Sequence, residues 1–192
     1  MGALIGTADR VLRAGDLRPG DALIATKHIG IEGMSILASD KPELLKHFMS
    51  ESETEELLSW AEKTSVLEES KALREIAKFM HDPTEGGFMG GVGEISSLSG
   101  LQAEIDYSSV PVHPLTKRAA EKLGFDPLRL IASGSLLAAV PEDRTAEALE
   151  QLAKTGIEAA VVGSMGDRLV KPVPEPSEEL WRLLKMEGPE YE

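Results

Sequence analysis

One segment of the chain combines residue types that could bind an anion. Residues 81–87 read His-Asp-Pro-Thr-Glu-Gly-Gly and precede a run rich in glycine and apolar residues. A glycine loop leading into a helix offers backbone N–H groups at the positive end of the helix dipole. There Thr84 could donate its hydroxyl, Gly86 and Gly87 would let the backbone approach phosphate oxygens, and Asp82 could cap the loop or hold a magnesium-bound water. The same residues could equally just begin a helix, and local sequence leaves both interpretations open.

The remaining chemical groups give weaker signals. The four histidines, which are His28, His47, His81 and His113, show no metal-ligand spacing such as His-Glu-x-x-His. The chain contains no Cys, which excludes disulfides, thiolate nucleophiles and Cys-ligated metals within these residues. We therefore predict no metal site, and we assign no catalytic residue.

Two strand-loop-helix units are predicted to position the candidate residues. A turn at 18–21 leads into the apolar run 22–26, after which Gly30 and Gly33 precede a helix-compatible run. The second unit is the glycine loop itself, followed by the run 88–98. Each glycine in a helix destabilises it by about 1 kcal/mol relative to alanine. The many glycines in this run therefore indicate that another group approaches the backbone closely, either a packed neighbour or a ligand.

Residues 41–80 are predicted to be helical, and the last turn, 76–80, which leads straight into the glycine loop, is also compatible with a strand. Pro42 suits a first helical turn, and two Ser-x-x-Glu patterns, Ser52 to Glu55 and Ser65 to Glu68, fit the capping box that begins a helix. In the second helix, one apolar face is predicted at three- and four-residue spacing. Its residues are Val66, Leu73, Ile76, Ala77 and Met80.

The rest of the chain alternates between strand and helix patterns. We predict strands at 101–107 and 135–140 and helices at 114–124 and 142–155. A strand at 157–162 is expected to turn at Gly163 and Ser164 and to pair with an edge strand at 165–170, before a short helix at 178–185. These elements predict an α/β (α+β) fold with a mixed β-sheet flanked by helices and a helical insertion near 41–80.

Composition limits the classes of partner. The chain of 192 residues has 20 Lys and Arg against 33 Asp and Glu, a net charge of −13, which argues against nucleic acid and anionic membrane surfaces as partners. The longest apolar run, 136–140, is far below the roughly 18 residues of a membrane span. Because no basic, apolar leader pattern is present, we expect a cytoplasmic location.

Several segments, in order along the chain, resemble one family. Residues 81–91 are similar to the glycine segment of the C-terminal domain of the AIR synthase superfamily, in its hydrogenase-maturation dehydratase branch. Residues 17–24 and 29–33 resemble an early strand and its loop, and 132–140 and 160–163 resemble two late core strands. The similarity covers about 15–165, and His-Asp-Pro-Thr-x-Gly-Gly is its specific part. We divide the chain accordingly into an N-terminal linker at 1–14, the family domain at 15–172, and a Pro-rich turn with a short helix and tail at 173–192.

The resemblance implies an ATP-dependent protein in which nucleotide lies between two halves. Mg²⁺ and the dimer contacts are expected mainly from an N-terminal ATP-binding half. The resemblance implies that this sequence starts where the C-terminal domain would start. That half is then the implied partner, with a homodimer at full length. The cofactor-binding residues implied are Asp82, Thr84, Gly86 and Gly87 on the loop and Gly30 and Gly33 on a facing wall.

Two departures from the family pattern change what is expected. Glu85 stands where the maturation branch commonly has Arg, so a carboxylate would repel the phosphates unless it points away or binds Mg²⁺. The maturation dehydratases carry their carbamoyl group on a C-terminal Cys thiol, whereas this sequence ends Pro-Glu-Tyr-Glu. The alternatives are therefore a relative of purine-biosynthetic AIR synthase or thiamine-monophosphate kinase, or a catalytically silent binding or assembly domain. The substrate and the reaction stay open.

Overall fold

A computed structural model describes residues 6–168 and 177–187 of the chain. Its strands are β1 (Ala22–Thr26), β2 (Phe79–His81), β3 (Leu101–Ile105), β4 (Leu137–Val140) and β5 (Ala159–Arg168). Its α-helices are α1 (Ile31–Asp40), α2 (Pro42–Leu45), α3 (Glu51–Ser59), α4 (Leu67–Leu73), α5 (Gly87–Ser99), α6 (Pro114–Leu123), α7 (Thr145–Lys154) and α8 (Leu180–Leu184). Helices and one sheet together confirm the predicted α/β (α+β) class.

The five strands form one sheet in the order β2-β4-β1-β5-β3, and each neighbouring pair is antiparallel. The prediction of a mixed sheet is therefore wrong in strand direction. Within the described ranges, the isolated bridge between Ile29 and Val112 is the parallel pairing that remains. Alternating strand and helix patterns suggested parallel crossovers, but β1 pairs on both sides with strands from the distant C-terminal part of the chain.

The predicted turn at Gly163 and Ser164 is also wrong. Strand β5 continues through both residues, with an irregularity in register opposite Leu23 and Ile24. A Cβ on Gly163 would lie 2.1 Å from the carbonyl oxygen of Glu104 on β3, so glycine here permits close strand approach. The predicted edge strand at 165–170 is, over its described part, the end of β5, which lies between β1 and β3; residues 169–170 lie outside the described ranges.

The sheet is covered on both faces because alternate residues of each strand point to opposite sides. On one face, Leu23, Ala25, Leu137 and Ala139 pack with α5. On the other face, Ala22, Ile24, Ala138 and Val140 pack against α7 and the segment 73–77. Strand β1, buried along its whole length, is therefore the centre of the fold.

The helical insertion is confirmed over α2 to α4, although its helix starts differ from those predicted. The capping box of α3 is formed by Ser50 and Glu53, rather than by Ser52 and Glu55. Helix α4 begins at Leu67 and has no side-chain cap at its N-cap residue, Val66. The predicted apolar face does reach a common core, but its later residues lie beyond the end of α4 and lead into β2.

A short C-terminal helix completes the described part. Leu180 and Leu183 of α8 are buried in the core cluster that also contains residues of α1 and α6. The carboxylate of Glu179, which precedes α8, accepts a hydrogen bond from the Asp126 amide at 3.2 Å. Within 6–168 and 177–187, no helix is long and apolar enough to span a membrane.

Candidate functional site

The glycine loop has the predicted position between a strand and a helix. Strand β2 ends at His81, and α5 starts at Gly87 with Gly86 as its N-cap residue. Gly86 and Gly87 have φ angles of +79° and +61°, a left-handed conformation that favours glycine. Thr84 and Glu85 are exposed, so they can meet a ligand from solvent.

The two glycine amides already have hydrogen-bond acceptors. The N–H of Gly87 donates to the Thr84 carbonyl oxygen at 3.0 Å, within the turn. The N–H of Gly86 donates to Oε2 of Glu178 at 2.6 Å. The position predicted for a phosphate oxygen, next to the Gly86 amide, is thus occupied by a carboxylate oxygen from the C-terminal segment.

Glu178 is a residue that the sequence analysis missed. Besides the Gly86 amide, it accepts hydrogen bonds at Oε1 from the N–H groups of Ile131 at 3.1 Å and Leu180 at 2.8 Å. Glu178 follows Gly86 by 92 residues, and its pattern indicated only the start of a terminal helix. No local signal in the sequence relates it to the loop.

The predicted facing wall packs on Leu130. A Cβ on Gly33 would lie 2.4 Å from Cγ of Leu130, and one on Gly87 would lie 2.5 Å from the Leu130 carbonyl oxygen. Gly30 is the left-handed N-cap residue of α1, with φ +75°. Both glycine segments therefore pack against Leu130, from two sides. Close packing against Leu130 leaves no room for a side chain at Gly33 or Gly87.

Asp82 lies beside a second carboxylate that the sequence analysis did not select. Oδ1 of Asp82 and Oε2 of Glu32 are both buried without a hydrogen-bond partner in the described part of the chain. Burial raises the pKa of Asp82, a hydrogen bond from the Gly134 backbone opposes the shift, and the Glu32 charge adds to it. Burying a carboxylate oxygen without a hydrogen-bond donor lowers the stability of the folded state. Such destabilised ionisable groups are typical of ligand sites.

Next to the start of α1, three rings form a cluster. The His28 ring lies 4.4 Å from Trp60 and 5.0 Å from His113, measured between ring centroids. Burial lowers the pKa of His28 to about 4, and the nearby His113 adds to the shift. Burial also lowers the pKa of His113, and the negative charge of Glu56 partly offsets this decrease. Both imidazoles are thus neutral at pH 7.

The described residues contain no group of three or more His, Cys, Asp or Glu side chains that could hold a metal ion. For an anion the donor set fits better, since the Gly86 amide already donates to a negatively charged oxygen at the start of a 13-residue helix. For Mg²⁺, Asp82 and Glu32 each offer a buried carboxylate oxygen without a hydrogen-bond partner among the described residues, whereas the similarly buried Oε1 of Glu69 is paired with Lys27. Asp82 and Glu32 alone are an incomplete ligand set.

Comparison with known families assigns the chain to one of them. Residues 18–171 match the model of the AIR synthase related protein C-terminal domain. The chain belongs to the AIR synthase related protein family. Its curated relatives include the carbamoyl dehydratase HypE of Rhizobium leguminosarum, 30% identical over 165 residues, which are 79% of this chain and 42% of that protein. The HypE of Cupriavidus necator is 35% identical over 121 residues, covering 63% of this chain and 32% of that protein. This chain thus spans less than half the length of those relatives.

Solved structures share the fold. Escherichia coli HypE, a hydrogenase maturation protein, superposes with a TM-score of 0.70 at 24% identity, covering 88% of this chain and 54% of that one. A HypE structure in complex with ATP gives a TM-score of 0.59 at 23% identity, covering 80% and 44%. Thiamine-monophosphate kinase from Stenotrophomonas maltophilia gives 0.66 at 18% identity, covering 87% and 52%. The fold is therefore common to proteins with different activities.

Proposed function

We propose that this chain is the C-terminal half of an ATP-dependent protein related to the hydrogenase-maturation dehydratases. Its glycine loop would orient the phosphates of a nucleotide at the boundary with an N-terminal half. The observation that carries the proposal is the 2.6 Å hydrogen bond from the Gly86 amide to a carboxylate oxygen at the start of α5. It shows an amide directed at an anionic oxygen where the family resemblance calls for phosphate.

Each loop residue then has a role. The Gly86 amide would bind a phosphate oxygen, while the exposed Thr84 hydroxyl would donate to the same group. Gly87 would keep the backbone turned so that α5 can start there, since its own N–H is used by Thr84. Asp82, with Oδ1 vacant, would accept a hydrogen bond or hold Mg²⁺ at the phosphates.

When bound, ATP with Mg²⁺ would supply an activated phosphoryl group, and the residues of this chain would position it rather than react with it. Gly30 and Gly33 are proposed to shape the opposite wall through Leu130. The N-terminal half of the same protein is the proposed partner, in a cytoplasmic homodimer. A HypE–HypF complex is known in the family, but no described residue here points to a particular second protein.

The test is calorimetry with ATP and Mg²⁺ on the full-length protein carrying a substitution in the loop. Glu85→Arg should tighten ATP binding about tenfold, because an exposed carboxylate beside the phosphates becomes a cation that can pair with them. Asp143→Arg is the matched control: it makes the same charge change at an exposed site past the opposite end of β4. Equal affinities in the two variants would contradict the proposal.

A second candidate function is a domain that keeps the fold without catalysis. Glu85 favours it, because a carboxylate next to the glycine pair would repel the phosphates of a nucleotide. The same titration separates the two candidates, since a silent domain would bind ATP in none of the variants.

A further inference from the structure

The Glu178 carboxylate sits where the proposed function needs a phosphate oxygen. It receives hydrogen bonds from the Gly86 amide at 2.6 Å and the Ile131 amide at 3.1 Å, which belong to different segments of the fold. A third bond, from the Leu180 amide at 2.8 Å, orients the side chain within its own segment. A carboxylate held by several amides is strongly bound, because hydrogen bonds to a charged acceptor are stronger than neutral ones.

We infer that Glu178 is an internal competitor of phosphate: its carboxylate and the phosphates of a nucleotide exclude each other at Gly86. This inference rests on the proposed function and adds the regulation of the same site. One N–H group cannot donate a full hydrogen bond to two anionic oxygens. Two negative groups at that amide would also repel each other.

The segment that carries Glu178 has other anchors, so the carboxylate can leave without the loss of the whole segment. Leu180 and Leu183 are buried in the core. Glu179 accepts a hydrogen bond from the Asp126 amide at 3.2 Å and pairs with Arg182 at 2.8 Å. Release of Glu178 alone would then expose the Gly86 and Ile131 amides while α8 stays docked.

Glu178→Gln and Glu179→Gln form a matched pair for the experiment. Both remove one negative charge from adjacent residues, but only the first acts on the glycine loop. The probe is sodium tripolyphosphate, added to the full-length protein while the ¹H–¹⁵N signals of Gly86, Ile131 and Leu180 are followed.

Half-saturation of the Gly86 signal should occur at a concentration about tenfold lower in Glu178→Gln than in the wild type, because a neutral amide competes less well than a carboxylate. In Glu179→Gln it should stay at the wild-type concentration. At saturation the wild-type Leu180 amide should exchange its hydrogen faster, whereas Gly86 should stay protected by its new acceptor.

Three results would overturn the inference. They are equal half-saturation in the wild type and Glu178→Gln, an equal decrease in Glu179→Gln, or no response of Gly86 to tripolyphosphate in any variant. The proposed function is tested separately by the ATP titration of Glu85→Arg. If ATP affinity depends on Glu85 while Glu178→Gln changes nothing, only the competition is wrong. If Gly86 responds as expected while Glu85→Arg and Asp143→Arg bind ATP equally, only the nucleotide's placement is wrong.

Discussion

Asp82 carries a negative charge at a cost to the fold. Its Oδ1 has no hydrogen-bond partner among residues 6–168 and 177–187, and the nearby Glu32 carboxylate adds to the unfavourable charge. A raised pKa in the folded state means that the native protein binds the proton more tightly than the unfolded chain does. The stability that Asp82 contributes is therefore highest when it is protonated and decreases as pH rises through its pKa.

Asp82→Asn should consequently stabilise the protein at pH 7. We expect the free energy of unfolding to rise, because the substitution removes a partly buried charge that opposes folding. The gain should shrink as pH falls toward the acidic range, where the wild-type carboxyl is also neutral. Urea unfolding at a series of pH values measures both effects.

Asp106→Asn is the control with the opposite sign. Hydrogen bonds from Ser108, and then from Ser109, lower the pKa of Asp106, so that its charge stabilises the fold at neutral pH. This variant should lose stability at pH 7, and the loss should disappear at low pH. If both substitutions changed stability in the same direction, the account of Asp82 as a buried carboxylate whose charge opposes folding would be wrong.

At the scale of elements, the ring cluster joins the loop after β1 to the helical insertion and to the start of α6. His28 follows β1, Trp60 follows α3 in a 3-10 turn, and His113 is the N-cap residue of α6. The His113 ring accepts a hydrogen bond from the Leu115 amide through Nδ1 at 3.2 Å. Neutral imidazole rings therefore favour both contacts: they can be buried against Trp60, and Nδ1 of His113 can accept the hydrogen bond that caps α6.

Acid should weaken this junction. The pKa of His28 is lowered to about 4 from an ordinary value of 6.5. The unfolded chain then takes up a proton at higher pH than the native protein, so stability decreases as pH falls from about 6.5 to about 4. After reduction for the exposed part of the ring, we expect a loss of about 2 kcal/mol.

His28→Gln removes the titrating ring, and the variant should show a flatter stability profile between pH 6.5 and 4 than the wild type. Chemical denaturation at closely spaced pH values gives the difference in unfolding free energy between the two proteins. Carboxylates present in both contribute equally, so their titration does not affect this difference. Parallel profiles would show that His28 does not cause the acid loss.

The elements also show what the sequence could and could not predict. β1 was predicted with its observed bounds, because an apolar run of five residues next to a turn is long enough for a strand and too short for a typical helix. The strand-loop-helix order around residues 81–87 followed from local patterns too. Strand direction and the continuity of β5 through Gly163 depend on pairing with distant residues, which no local pattern contains.

The site was predictable to the same extent. Left-handed Gly86 and Gly87 at the start of a helix follow from the local Gly-Gly pattern. The hydrogen bond from Gly86 to Glu178 joins residues 92 positions apart, and the carboxylates of Asp82 and Glu32 come from the glycine loop and from the first turn of α1. Partner groups of this kind become visible only when the sheet and α8 are in place.

At the scale of the whole molecule, the charge balance acts on both stability and binding. The net charge of −13 comes from 33 acidic and 20 basic residues, and many of the basic ones are already engaged in ion pairs within the described ranges. The excess negative charge repels itself more strongly in the folded state than in the expanded unfolded chain. The same field opposes the approach of a polyphosphate, which is consistent with a requirement for Mg²⁺ as a counter-ion.

Added salt should therefore stabilise the protein. Raising NaCl from about 10 to 300 mM shortens the Debye length from about 30 Å to below 10 Å and screens the long-range repulsion, while close pairs such as Lys78 with Asp21, 2.7 Å apart and largely buried, are affected little. We expect the Tm to rise by about 2–5 °C, measured by circular dichroism at pH 7. Choline chloride at the same ionic strength should act alike, because screening does not depend on the identity of the cation. A fall in Tm with either salt would mean that exposed ion pairs contribute more to stability than the net repulsion costs.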